Sequence, residues 1–132
     1  MRDELRVRFL VVDDEQSIRE IVQEGLSSRG MKVEEAESAE QALVLLEKNT
    51  YEVVLCDFNL PHSSGQQLFE QVQKEKAGSA PRFIFITGEL VDASRIAEFS
   101  EKGATLLQKP FRVPELAKLL AVLLQSEPSE VN

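Results

Sequence analysis

Apolar residues gather in five short runs, at 7–12, 31–36, 51–56, 83–86 and 104–107. Three of them, 9–12, 53–56 and 83–86, are apolar at every position, as a strand covered on both faces requires. The run at 31–36 carries Lys32, Glu34 and Glu35, which suits an edge strand. Between the runs the spacing changes to three and four residues, the period of a helix with one buried face. Ile18, Ile21, Val22, Gly25 and Leu26 form the first such set. Ala39, Ala42, Leu43 and Leu46 form the second, and Leu68, Phe69 and Val72 the third. Ile96, Ala97 and Phe99 mark a weaker fourth. In a fifth, at 116–124, only Lys118 is polar.

Punctuation supports this division. Gly30, Gly78 and Gly103 each close a helical stretch, where a left-handed residue is needed. Ser38 is the predicted N-cap of the second helix, with Gln41 completing a capping box. Pro114 suits the first turn of the last helix. Strands alternating with helices of this length predict an α/β fold, a parallel sheet with helices on both faces. One domain over residues 1–125 is expected, followed by a flexible tail at 126–132.

At 132 residues and 42% apolar, the chain can bury one core. A net charge of -8 makes direct nucleic-acid or membrane contact an unfavourable expectation, because both surfaces are anionic. No apolar run has the length of a membrane span, residues 1–8 lack the apolar core of a signal peptide, and a cytoplasmic location is expected. A single cysteine, Cys56, and a single histidine, His62, exclude a disulfide framework and a Cys/His zinc site. Strand alternation turns Cys56 away from its neighbour Asp57, into packing, and His62 reads as a surface residue.

In an open parallel sheet, function collects beyond the carboxyl ends of the strands. Asp13 and Asp14 follow the first run, Asp57 the third and Thr87 the fourth, while Gln108 and Lys109 follow the fifth. Taken singly, Asp14 would pass as an N-cap, Asp57 as a turn residue and Lys109 as a solvated lysine. Together they make a different site. Two carboxylates about 5 Å apart repel by ~3 kcal/mol at an effective dielectric near 20. Three must bind a cation, take up a proton or lean on Lys109. Hard oxygen ligands favour Mg²⁺, and a carboxylate beside Mg²⁺ can attack a phosphoryl group.

The set Asp13-Asp14, Asp57 with Leu60-Pro61 and Gly65 following, Thr87, and Lys109-Pro110 resembles a two-component response-regulator receiver domain. The resemblance covers residues 6–125 and implies a flavodoxin-like (βα)5 fold with strand order 2-1-3-4-5. It implies that Asp57 accepts a phosphoryl group from a histidine kinase or histidine phosphotransfer protein. Mg²⁺ would be held by Asp13, Asp14, Asp57 and the backbone carbonyl of Asn59. Thr87 and Lys109 would bind the phosphoryl oxygens, and the bond before Pro110 would be cis. The switch would catalyse its own phosphorylation and slow dephosphorylation, with Asn59 and Glu89 tuning the rate, and would signal to a downstream output protein.

One position departs from the pattern. The family usually carries Tyr or Phe three residues before the lysine, whose ring moves with the threonine; here the residue is Leu106. A phosphorylation-independent interaction module is therefore a rival reading. A haloacid-dehalogenase-like phosphatase is a weaker one, because it needs a general acid two residues after the nucleophile and Asn59 cannot serve. The apolar last helix has two readings of equal standing: a helix packed more deeply than usual, or contact with a partner or a second copy, a homodimer, through its outer side with Leu106 nearby.

Overall fold

The computed structural model describes residues 7–60, 63–76, 78–88 and 90–125. Its long strands are β1 (Arg8–Val12), β2 (Lys32–Ala36), β3 (Val53–Asp57), β4 (Arg82–Thr87) and β5 (Ala104–Gln108). The helices that follow them are α1 (Gln16–Ser27), α2 (Ala39–Lys48), α3 (Gly65–Glu75), α4 (Ala93–Glu101) and α5 (Val113–Gln125). All five strands are parallel, in the order β2-β1-β3-β4-β5. This is the expected 2-1-3-4-5 order, with the polar β2 at an edge.

Successive residues of a strand point to opposite faces, so each central strand feeds two cores. Phe9, Val11, Val53, Leu55, Ile84 and Ile86 pack against Val22 and Leu26 of α1 and Leu116 and Leu120 of α5. Leu10, Val12, Val54, Cys56, Phe83 and Phe85 face the other way, onto α2, α3 and Phe99 of α4. The second core holds interlocking rings: Phe69 meets Phe83 at 5.0 Å and Phe85 at 5.6 Å, and Phe85 meets Phe99 at 5.5 Å. Such edge-to-face pairs add about 0.5–1.5 kcal/mol each beyond area burial. Cys56 takes the packing role expected of it, and burial pushes its thiol pKa up.

Gly30, Gly78 and Gly103 all have positive φ, +90° at Gly30, so each helix-closing glycine sits where an L side chain would be strained. Four details differ from expectation. Ile21 is 51% exposed although it lies in the apolar set of α1, because the core formed with the sheet and α5 takes Ile18, Val22 and Leu26 and leaves Ile21 outside. In α4, Ile96 is 46% exposed and Ala97 is exposed too, leaving Phe99 as the helix's one buried residue. Ser38 does cap α2, accepting from Gln41 N, but the Gln41 side chain accepts from Glu37 N rather than closing the box on Ser38. A complete box occurs instead at Ser64 and Gln67, at the start of α3. It follows a two-residue antiparallel ribbon, Asn59–Leu60 with Ser63–Ser64, too short to leave a periodic signal.

The apolar character of α5 is largely absorbed by packing. Leu116 and Leu120 are fully buried, and Leu119, Leu123 and Leu124 rest against the same core. A Cβ on Gly25 would lie 2.5 Å from Val113, so α1 and α5 meet closely at that glycine. Val122 is left 65% exposed. No helix among the described residues is long and apolar enough to cross a membrane. Residues 126–132, where a tail was expected, lie outside the described residues.

Candidate functional site

Parallel register brings the strand ends to one edge. Val12 stands beside Cys56, Asp57 beside Ile86, and Thr87 beside Gln108. Asp13 continues the ladder with its N–H on the Ala36 carbonyl at 3.1 Å. Across the site, the Lys109 N–H bonds the Thr87 carbonyl at 2.7 Å, so the backbone ties these two residues together. The Lys109–Pro110 bond is cis. Beneath Asp57 the N-terminus of α3 approaches so closely that a Cβ on Gly65 would lie 2.5 Å from the Asp57 carbonyl oxygen. Only glycine fits there.

The three aspartates do converge: one carboxylate oxygen of each of Asp13, Asp14 and Asp57 lies within 4.8 Å of the others. Asp13 is fully buried, Asp57 nearly so, and Asp14 exposed. Asp13 Oδ1 accepts from Glu15 N at 2.9 Å, and Asp57 Oδ1 accepts from Asn59 N at 3.0 Å. Asp13 Oδ2 is buried without a hydrogen-bond partner. Burial is the main cause that pushes the Asp13 pKa from 3.8 up to about 6, with the Asp57 charge adding to it. Burial likewise raises Asp57, against the pull of the Asn59 N–H and of Lys109.

Lys109 supplies the local positive charge. Its Nζ stands 3.7 Å from Asp57 Oδ2, 4.0 Å from Asp13 Oδ2 and 3.5 Å from Glu15 Oε1. Partial burial lowers its pKa, but Asp57, Asp13 and Glu15 outweigh that and hold it above the ordinary lysine value. One ammonium cannot balance four carboxylates. The orphaned Asp13 oxygen, aimed into a cluster of hard oxygen donors, fits a small divalent cation of the Mg²⁺ class.

Thr87 is buried at the end of β4, beside this cluster in the sheet edge. Asn59 is exposed, two residues after Asp57. Glu89, Pro61 and His62 lie outside the described residues. Leu106 is half-buried and lines a cavity of about 180 Å³ together with Phe58, Thr87, Arg95 and Phe99. The Arg95 guanidinium lies over both rings, 5.6 Å from Phe58 and 5.4 Å from Phe99.

Sequence reasoning missed two residues at this edge. Glu15 shares Lys109 across 94 positions of chain, a distance no local pattern reports. Arg19 reaches back from α1 to the Asp13 carbonyl, its Nη1 donating at 2.8 Å. Its position, six residues after Asp13, was the only available hint, and polar helix positions ordinarily face water.

Comparison with known proteins gives a consistent result. The family model for the response regulator receiver domain matches residues 9–121. The chain is 31% identical over 125 residues to response regulator MprA of a Mycobacterium species (strain KMS), covering 94% of this chain and 54% of that protein. It is 30% identical over 123 residues to the phosphate regulon transcriptional regulatory protein PhoB of Pseudomonas aeruginosa, covering 92% of this chain and 54% of that one. The chain thus spans about half the length of these curated relatives. Among solved structures, chemotaxis response regulator CheY4 of Vibrio cholerae superposes with a TM-score of 0.80 at 28% identity, over 89% of this chain and 98% of that one. A CheY-like receiver domain protein from Methanospirillum hungatei gives 0.82 at 26% identity, over 95% and 98%.

Proposed function

The chain belongs to the response regulator receiver domain family of two-component signalling, and from that premise we propose that it is a phosphorylation switch with Asp57 as the acceptor. The observation that carries this reading is the convergence of three carboxylates within 4.8 Å beside the ammonium of Lys109. Burial raises the basicity of Asp57, which favours it as a nucleophile. Its carboxylate attacks the phosphorus of a phosphohistidine on a histidine kinase or histidine phosphotransfer protein. The phosphorus–nitrogen bond breaks, the imidazole keeps the electron pair, and an acyl phosphate forms on Asp57.

Asp13, Asp14, Asp57 and the Asn59 carbonyl would hold Mg²⁺. When bound, the ion supplies positive charge that offsets the growing negative charge on the phosphoryl oxygens. Lys109 binds one of those oxygens through its ammonium, exchanging its contact with free Asp57 Oδ2 for the phosphorylated side chain. The Thr87 hydroxyl donates to another. Asn59, two residues after Asp57 in the chain, and Glu89, two after Thr87, set the lifetime of the acyl phosphate. The phosphoryl group then favours one of two conformations, which a downstream output protein reads in the cytoplasm. A contact between two copies along α5, where Val122 is exposed, belongs to the same proposal.

Phosphotransfer to the wild type and to Asp57→Asn in parallel, with Mg²⁺ and a small phosphodonor, tests the reading. Intact mass should show one added phosphoryl group on the wild type and none on the variant. Leu106 at the usual aromatic position favours a second reading, an interaction module independent of phosphorylation. No adduct on the wild type would select it.

A further inference from the structure

Both polar groups of the Asp13 peptide backbone are moored to the end of β2. The N–H bonds the Ala36 carbonyl at 3.1 Å. The carbonyl accepts from Arg19 Nη1 at 2.8 Å, and Arg19 Nε bonds Glu35 Oε1, next to Ala36 in the chain, at 3.1 Å. The Arg19 side chain is only 14% exposed, unlike an ordinary surface arginine. The usual device for this turn is missing: Glu15, the N-cap of α1, makes no side-chain cap bond. The turn carries Asp13 and Asp14 into a cluster whose like charges push it outward, so a restraint on its backbone holds the carboxylates together.

We propose that Arg19 is a positioning residue for the cation site, acting through the Asp13 carbonyl with Glu35 as its anchor. The inference rests on the Mg²⁺-dependent reading above. The guanidinium performs this task because its rigid fork bonds the carbonyl and the carboxylate at once. A point-charge ammonium cannot do both in the same geometry.

Charge and position predict opposite signs. Removing a cation near three carboxylates would, by Coulomb attraction alone, tighten Mg²⁺ binding. Losing the restraint would weaken it. Calorimetric titration of magnesium chloride into the wild type, Arg19→Gln, Arg19→Lys and Asp14→Asn decides between them, with circular dichroism reporting folding. Arg19→Gln should bind Mg²⁺ about tenfold more weakly, the scale seen when the partner that orients a ligand is lost. Arg19→Lys, which keeps the charge and loses the fork, should fall between that variant and the wild type. It also decides the matter if Arg19→Gln does not fold. Affinity equal to or tighter than wild type in either folded variant overturns the inference while leaving the site reading intact. A wild type that binds no Mg²⁺ overturns both.

Discussion

Asp13 is the residue whose environment departs furthest from water among the three carboxylates, and it sets a pH dependence. An acid whose pKa rises in the fold, here from 3.8 to about 6, holds its proton more tightly folded than unfolded. Its favourable contribution is therefore complete below about pH 4 and is lost as pH climbs through about 6. In the metal-free protein, ionising it costs roughly 3 kcal/mol at neutral pH. Asp13→Asn keeps an acceptor for Glu15 N and removes the charge. Urea unfolding without metal should show the variant gaining on the wild type between pH 4 and 7, and a pH-independent difference would rule this out. The convergence of Asp13, Asp14, Asp57 and Lys109 was legible in the sequence because each follows an apolar run at a strand end. Their partners were not: Glu15 meets Lys109, and Arg19 meets the Asp13 carbonyl, through contacts that exist only once the sheet is assembled.

At the scale of elements, α3 shows how local chemistry and tertiary contact combine. Ser64 and Gln67 close a capping box that a pattern search could have found, since serine is followed three residues later by glutamine. Gly65 looks like a weak helix residue, yet the backbone of Asp57 leaves room for nothing larger. Ser64→Ala should cost about 1 kcal/mol, the ordinary loss of a cap. Gly65→Ala meets a backbone oxygen that cannot rotate away and should cost more, up to about 3 kcal/mol. It should also slow phosphorylation by shifting Asp57. Chemical denaturation ranks the two, and the reverse order would remove the close-approach account. Helix α4 is the opposite case. Its apolar residues recur at helical spacing, yet Ile96 and Ala97 stay in solvent, because only Phe99 meets the ring cluster of Phe58 and Phe85. Periodicity reports which residues share a face. It does not say how closely the helix approaches the sheet.

For the molecule as a whole, two cores on either side of one sheet account for most of the apolar sequence, including most of α5. The large apolar side chain they leave exposed on that helix is Val122. If a second copy covers it, light scattering at high concentration should find a dimer that Val122→Glu disperses. A strict monomer with and without a phosphoryl mimic would end that proposal. Chain order alone was enough for the alternation of strands and helices, the buried and edge strands, and the acidic, hydroxyl and basic residues at the strand ends. Those features follow from backbone geometry and local periodicity, which neighbouring residues express without help. Only the assembled fold buries Asp13 with one oxygen lacking a hydrogen bond, shares Lys109 among Asp57, Asp13 and Glu15, and brings Arg19 to the Asp13 carbonyl. Burial and charge proximity are properties of space rather than of chain order, and residues 94 positions apart acquire them only when the strands align.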